Sequence, residues 1–510
     1  MLNATPALRV YARWRRGKLN SLRAAAAQEA QLLRLVRRAQ DTRFGRDHGF
    51  ASIRSVADFQ RQVPLRRFED YWRDYGKDAF PVFDNLSWPG RIPYFAETSG
   101  TSGGPTKHIP VSRAMLASNN KAGIDFMAWH LAHRPRSQFF GGKNFMLGGS
   151  RALGVKAPGI HSGDLTGIAL NELPRWVRPY VFPSPTLSLP SEWEAKIDTL
   201  APLSRQVDIR ILAGTTSWLL LFFDKLRQLD PQGRRELVHH YPNLELISHG
   251  GVNFAPYRKQ FEAVLEGSHA ELREVYPASE GFIASADRGV GEGLRLNIDT
   301  GLFYEFVSLD ELGSARPTRL WIKDVERDKS YAIVLSTCAG LWGHVLGDTV
   351  RFVDLDPPRL LITGRTSYSL SAFGEHLSGE EIERAVTEGA EAIGAGVVDF
   401  TVGAILPEGS AQGRHRYVVE FAGAAPAAPE LRRFTEALDR TLAENNDDYR
   451  VHRHGDYGIA APEVLAAPPG SFKEWMRRRG KLGGQNKVPR VLQDGRMLDD
   501  LVVLIGELRA

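Results

Sequence analysis

The chain has 510 residues, of which 43% are hydrophobic and 25% charged, with 65 basic residues against 60 acidic ones. That length exceeds one ordinary core and predicts two or three globular domains, while the composition excludes a disordered or fibrous chain. A net charge of +5 is too mild to argue for a nucleic-acid partner. The single Cys338 excludes an intramolecular disulfide framework and a multi-cysteine zinc site, and no run approaches the ~18 apolar residues of a membrane helix.

Taken in chain order, residues 1–75 carry the apolar spacing of helices broken by turns, one of them near Gly45-Arg46-Asp47. The first helices hold Arg13, Arg15, Arg16, Lys18 and Arg23 with no acid before Glu29, which reads as a solvated basic face, with Leu32, Leu33, Leu35 and Val36 turned inward; an organelle presequence or a membrane-surface helix is the alternative. No apolar core followed by a small-residue cleavage site opens the chain. Together with the lone thiol, this predicts a cytoplasmic protein.

Residues 97–110 read E-T-S-G-T-S-G-G-P-T-K-H-I-P. Gly100, Gly103 and Gly104 let backbone approach an anion closely, Thr98, Ser99, Thr101, Ser102 and Thr106 add hydroxyl donors, and Lys107 adds a point charge. The segment is a candidate ATP-phosphate loop, although its spacing is not that of a Walker P-loop. A flexible surface linker would share the composition, but it would have no need of the adjoining lysine or of the flanking apolar I-P-Y-F and I-P-V runs.

From 112 to about 240 helical patterns dominate, interrupted by a Gly/Pro-rich stretch from Gly148 to Pro190 that predicts loops around a pocket, with Phe145, Leu147, Arg151 and Trp218 near it. Short apolar runs at 209–214, 244–251 and 272–281 alternate with helical segments, as in an α/β domain whose strand ends carry the site. Between Gly291 and Leu361 the pattern turns β-rich. After Gly364-Arg365 the composition changes again, and residues 371–510 read as a small α/β unit with a helix from Gly379, strands near 397–405 and 416–421, and a helix from Glu430.

Four further motifs carry possible chemistry. Y-P-A-S-E-G at 276–281 places Ser279 and Glu280 on a loop after a strand, where an acid suits Mg2+; a Ser-Glu helix cap fits the same letters. L-G-D-T-V-R-F at 346–352 puts Asp348 in a tight turn before a strand, so that one carboxylate faces two vicinal hydroxyls; a turn aspartate bonding its own backbone is the alternative. S-H-G-G at 248–251 brings Gly250 and Gly251 to a strand end where a flat base can lie. G-G-Q-N-K-V-P-R at 483–490 sets Lys487 on a glycine-led loop, in a basic neighbourhood that also suits a solvated tail. His108, His249 and His344 show neither metal-ligand spacing nor a paired acid, and none is assigned a catalytic role.

The order and separation of these motifs resemble the succession found in adenylate-forming enzymes. With T-R-F-G-R-D-H-G-F at 42–50, V-P-L-R at 63–66, the loop at 93–111, A-G-L-W-G-H-V-L-G-D at 339–348 and G-Q-N-K-V-P-R, essentially the whole chain resembles the Gretchen Hagen (auxin-responsive) family of acyl acid amido synthetases, and its non-plant branch more than its plant members. Ala278 stands where many relatives have Ser or Thr, Trp342-Gly343-His344 replaces an aromatic-Arg pair common in plants, and Gly364-Arg365 through His376 departs from the plant hinge.

The resemblance implies an α/β adenylate-forming architecture, with a large N-terminal domain (1–370, partly β-rich) holding the ATP and acyl-acid site and a small mobile C-terminal domain (371–510) closing over it. It further implies ATP-dependent adenylation of a carboxylic acid with Mg2+ on Glu280, then transfer to an amine such as an amino acid. By resemblance, the 98–107 loop and Lys487 neutralise charge, Ser279 contacts the α-phosphate, Asp348 the ribose, Gly250 and Gly251 border adenine, and Arg365 lies at the hinge. An acyl-CoA ligase sharing the first half-reaction and a non-catalytic ATP-binding protein of the same fold are the alternatives.

Overall fold

The structure is a computed structural model that describes residues 3–98, 106–148, 152–184, 187, 193–250, 254, 257–366, 369–370, 377–405, 413–446, 449–450, 453, 459–482, 487–492 and 495–509. Its residues fall into two compact units: Met1–Val252 with Leu265–Ile362, and Asn253–Val264 with Thr363–Ala510. No helix among the described residues is long and apolar enough to cross a membrane.

The first unit begins with helices Thr5–Ser21 and Ala24–Ala39. The second buries Leu32, Leu35 and Val36 as its spacing predicts, but the basic face of the first is not wholly solvated. Arg15 is 1% exposed and lies between Asp125, at 2.6 Å, and Asp299, at 2.7 Å. A buried guanidinium is tolerated because both its edges meet carboxylates from elements distant in sequence, which no local pattern could disclose. Gly45-Arg46-Asp47 lies in the short helix Arg43–Asp47, capped by the Thr42 hydroxyl, which accepts from the Gly45 N–H, and the turn expected near it follows at His48 and Gly49. Glycine is needed at position 45 because a Cβ would lie 2.2 Å from the Ala39 carbonyl oxygen.

Strands β1 (Tyr94–Thr98), β2 (Lys107–Val111), β3 (Lys143–Leu147), β4 (Leu153–Ala157), β5 (Ile160–Gly163) and β6 (Val181–Phe182) are followed by β7 (Ile209–Thr215), β8 (Leu246–Gly250) and β9 (Glu271–Ala278). Then come β10 (Gly281–Ser285), β11 (Leu294–Leu296), β12 (Leu302–Ser308), β13 (Leu320–Trp321), β14 (Ser330–Thr337), β15 (His344–Leu355) and β16 (Pro358–Arg365). They form a four-stranded sheet in the order β2-β1-β5-β4 and a twelve-stranded sheet in the order β13-β12-β14-β15-β16-β11-β10-β9-β8-β7-β3-β6.

The three apolar runs read as strands in the sequence are β7, β8 and β9, paired in parallel, as continuous apolar segments between helices favour. The β-rich stretch supplies the antiparallel half of the same sheet. The Gly/Pro-rich region is not only loops, since β4, β5, β6 and the helix Leu165–Asn171 lie inside it. Strands of two to five residues are fixed by cross-strand partners rather than by any period of their own. Phe145 and Leu147 belong to the core, Phe145 packing edge-on against Phe182 and Phe222, while Arg151 lies outside the described residues.

In the second unit, β17 (Ser369–Leu370) pairs with β18 (Leu377–Ser378), and β19 (Val397–Ile405), β20 (Arg414–Phe421), β21 (Glu463–Ala467) and β22 (Val491–Leu492) form a sheet in the order β21-β20-β19-β22. Helix Gly379–Ala392 starts on a capping box in which the Ser378 hydroxyl accepts from the Glu381 N–H and the Glu381 carboxylate accepts from the Ser378 N–H. The short stretch Asn253–Val264 joins this unit although its chain neighbours, β8 and β9, are central to the other. Gln260 donates to the Val397 carbonyl at 3.0 Å, and the buried Arg490, ion-paired with Asp399 and stacked over Phe400 at 4.4 Å, donates to the Tyr257 hydroxyl at 3.4 Å.

Candidate active site

β1 and β2 form a hairpin whose last register pair is Thr98 and Lys107, so the glycine-rich segment is the hairpin's connection. Ser99, Gly100, Thr101 and Ser102 lie outside the described residues. Successive β2 side chains point to opposite faces. His108 stacks on Phe80 with ring centroids 4.6 Å apart, and burial lowers its basicity. Lys107 forms a 2.7 Å ion pair with Glu69, from the short helix Phe68–Tyr71, and lies 5.4 Å above the Phe68 ring. Burial works to raise the Glu69 pKa, but the hydrogen bond and charge of Lys107, a backbone hydrogen bond and the charge of His344 together outweigh it, and the carboxyl is held below its usual value. Glu97, at the start of the motif, accepts from the Ser162 hydroxyl at 2.6 Å and pairs with Lys156 at 3.3 Å, tying the hairpin to β5 and β4.

Ser279 and Glu280 form the turn between antiparallel β9 and β10, closed by the pair Ala278 and Gly281. Ser279 is 7% exposed. Glu280 lies 3.8 Å from the Nε2 of His344, a residue with no acid partner at any local spacing. Tyr276, two residues before the end of β9, donates its hydroxyl to Asp348 Oδ2 at 2.6 Å.

Asp348 is not in a turn ahead of a strand. It lies within β15, where the register with β14 slips between Ala332 and Val334, and Gly347 takes φ +92° in the resulting bulge. Bulges re-aim side chains beside functional sites, and this one brings the carboxylate to Tyr276. Gly250 ends β8 opposite Val275, where a Cβ would lie 2.0 Å from the Val275 carbonyl oxygen, so close strand packing alone requires glycine. Gly251 lies outside the described residues.

In the first unit Lys107 thus pairs with Glu69, Glu280 faces His344, and β9 carries Tyr276 to Asp348 and lies beside Gly250, with Glu69 and His344 linked only through their charges. Arg365 and Lys487 belong to the second unit: Arg365 ends β16, and Lys487 is exposed just before buried Val488 and Arg490. The sequence assigned no role to Glu69, Tyr276 or His344, although Tyr276 and His344 lie within motifs it singled out. Their only signals were neighbourhoods, V-P-L-R before Glu69, Y-P-A-S-E-G around Tyr276, and the glycine that precedes His344.

Among the described residues no group of three or more His, Cys, Asp or Glu is placed to hold a metal on its own. The single carboxylate of Glu280 instead suits a hard cation that takes most of its ligands from water and phosphate oxygens, as Mg2+ does.

Sequence models of three GH3 family domains match the chain in order: the N-terminal domain over residues 18–197, the central domain over 296–365 and the C-terminal domain over 380–496. The chain belongs to the GH3 family. Its fold is that of the adenylate-forming enzymes. It superposes on the solved GH3.15 acyl acid amido synthetase with a TM-score of 0.76 at 17% identity over 95% of this chain and 94% of that one. AtGH3.15 in complex with 2,4-DB gives 0.77 at 18% identity, covering 94% and 93%. The 2-hydroxyisobutyryl-CoA ligase in its postadenylation state, with R3-HIB-AMP, gives 0.58 at 14% identity, covering 94% and 91%. No curated protein sequence matches the chain.

Proposed function

We propose that this GH3 family protein is an acyl acid amido synthetase that activates a carboxylic acid with ATP and passes the acyl group to an amine, with an amino acid as the acceptor class. The observation that carries the reading is the convergence in one unit of the hairpin lysine, the Ser279-Glu280 turn and Asp348, within a chain matched in order by all three family domains.

In the first half-reaction a carboxylate oxygen bonds to the α-phosphorus while the bond to the β-phosphate oxygen breaks and pyrophosphate leaves. The difficulty is electrostatic, since one anion attacks another. Lys107 and the hydroxyl and N–H donors of the 98–107 connection hold the phosphates, Ser279 donates to the α-phosphate, and Asp348 accepts from the ribose hydroxyls. Gly250 and Gly251 leave room for the adenine plane. Glu280 would hold Mg2+, which would supply positive charge to offset the negative charge brought together by the attack.

In the second half-reaction the amine nitrogen bonds to the acyl carbon, AMP leaves with the bonding pair, and the nitrogen loses a proton. The C-terminal domain, following Arg365, would bring Lys487 to the first half-reaction and withdraw it for the second.

A second reading, acyl-CoA ligase, is favoured by the likeness to 2-hydroxyisobutyryl-CoA ligase, whose fold agrees less closely than that of the amido synthetases. The deciding experiment supplies an accepted acid and ATP with either the twenty amino acids or coenzyme A and identifies the product by mass. Amide formation supports the proposal; a thioester with no amide moves the protein to the second reading.

A further inference from the structure

His344 is held in a way that its place in the sequence does not announce. Trp342 is 2% exposed and donates its indole N–H to the Ser87 carbonyl at 2.9 Å, with its ring edge-on to Phe50 at 4.8 Å. Gly343 then turns with φ +56°, passing so near Pro64 that a Cβ would lie 2.7 Å from its carbonyl oxygen. An arginine or any other side chain at 343 is excluded by that approach. On either side of His344 the backbone is clamped to Arg66, whose N–H donates to the Gly343 carbonyl at 2.9 Å and whose carbonyl accepts from the Val345 N–H at 2.9 Å.

The imidazole so delivered is 3% exposed. Its Nε2 faces Glu280 Oε1 at 3.8 Å, while Nδ1 is buried with no hydrogen-bond partner among the described residues. A buried histidine kept only for packing normally satisfies its nitrogens. This one leaves Nδ1 without a protein bond and points Nε2 at the carboxylate on the β9–β10 turn, which leaves the ring free to close the remaining distance without breaking any protein hydrogen bond. Apo sites commonly hold such pairs long and tighten them when loaded.

We propose that His344 is a positioning residue for Glu280: its Nε2–H holds one carboxylate oxygen so that the other is left for the cation. The inference rests on the adenylation reading and adds to it how the carboxylate is oriented. Gly343 gives the close turn, and the histidine makes the contact with Glu280 that the turn allows. Partners of this kind, which touch a ligating group rather than the metal, typically change metal affinity by about 10 to 100-fold when removed.

The test compares H344F, which keeps a ring of similar size, with H344Q, whose amide N–H can replace Nε2–H. Binding of Mn2+ is followed by electron paramagnetic resonance in the presence of α,β-methylene-ATP, and the Mg2+ concentration for half-maximal ATP–pyrophosphate exchange is measured in parallel. H344F is expected to weaken Mn2+ binding and raise the Mg2+ requirement by at least about tenfold, with H344Q recovering most of both. If H344F does not fold, H344N replaces it, since its arm is too short to reach and should show the same loss. Equal metal affinity in wild type, H344F or H344N, and H344Q overturns the proposal, as does a loss that H344Q fails to recover. Absence of exchange in the wild-type protein with every acid would instead overturn the adenylation reading.

Discussion

Replacing Asp348 by alanine should weaken ATP binding by about 10 to 150-fold. The estimate starts from the loss of charge-assisted hydrogen bonds to the ribose hydroxyls, together about 1.5 to 3 kcal/mol, converted at 1.4 kcal/mol per tenfold. The structure adds a complication that must be separated from it. Asp348 Oδ2 already accepts from Tyr276 at 2.6 Å, and Tyr276 is 3% exposed. Asp348→Ala therefore also removes the acceptor of a buried hydroxyl's hydrogen bond, at a cost to folding of up to about 3 kcal/mol.

Tyr276→Phe removes the hydroxyl and its partner bond together, leaving the carboxylate in place but less firmly oriented, and should weaken ATP by only a few-fold. Isothermal titration with ATP and Mg2+, alongside urea unfolding, separates the two effects: Asp348→Ala should lose both affinity and stability, and Tyr276→Phe little of the first. An Asp348→Ala protein that is folded and binds ATP as the wild type does would refute the ribose assignment. Equal losses of affinity in the two variants would show that the carboxylate acts only through the tyrosine.

Three further outcomes follow from named contacts. Lys487→Ala should lower ATP–pyrophosphate exchange by about 100 to 1,000-fold while leaving transfer from a chemically made acyl-adenylate to the amine intact, and equal loss of both half-reactions would contradict its assignment to adenylation. Arg15→Met should destabilise the fold by about 3 to 5 kcal/mol in urea unfolding, because it leaves the carboxylates of Asp125 and Asp299 without their shared guanidinium; a change below about 0.5 kcal/mol would show that they find other partners. Burial raises Glu274 from 4.5 to about 7, so the folded state loses stability as pH rises from about 4.5 through 7, where the unfolded chain ionises this group first. Glu274→Gln should therefore stabilise the protein at pH 8, by up to about 3 kcal/mol, and not at pH 4.5, and a gain independent of pH would refute the titration.

Much of the architecture could be read from the chain because the elements that carry it are locally consistent. The apolar runs of β7, β8 and β9 and the helices Gly379–Ala392 and Ala428–Asn445 each hold their own period and caps. The fold itself is the adenylate-forming one that the resemblance implied. What could not be read depends on partners far away in sequence. Arg15 looks like one more solvated base until Asp125 and Asp299 are beside it, and β4 and β5 are strands only because β1 and each other complete their hydrogen bonds.

The candidate site divides along the same line. Lys107, Ser279, Glu280 and Asp348 stand out by composition and spacing, whereas Glu69, Tyr276 and His344 acquire meaning only from the side chains they face. Asp348 was visible as a residue but not as part of a bulge, because the register slip that makes the bulge is a property of two strands.

The first half-reaction is the most direct test, and acyl-adenylate formation is the outcome expected of it. With ATP, Mg2+, labelled pyrophosphate and a panel of aryl, indole and fatty acids, the predicted result is acid-dependent exchange of label into ATP and, in the forward direction, release of AMP and pyrophosphate. Release of ADP and phosphate with an accepted acid, and no exchange, would mean that the carboxylate attacks the γ-phosphorus and would contradict acyl-adenylate formation.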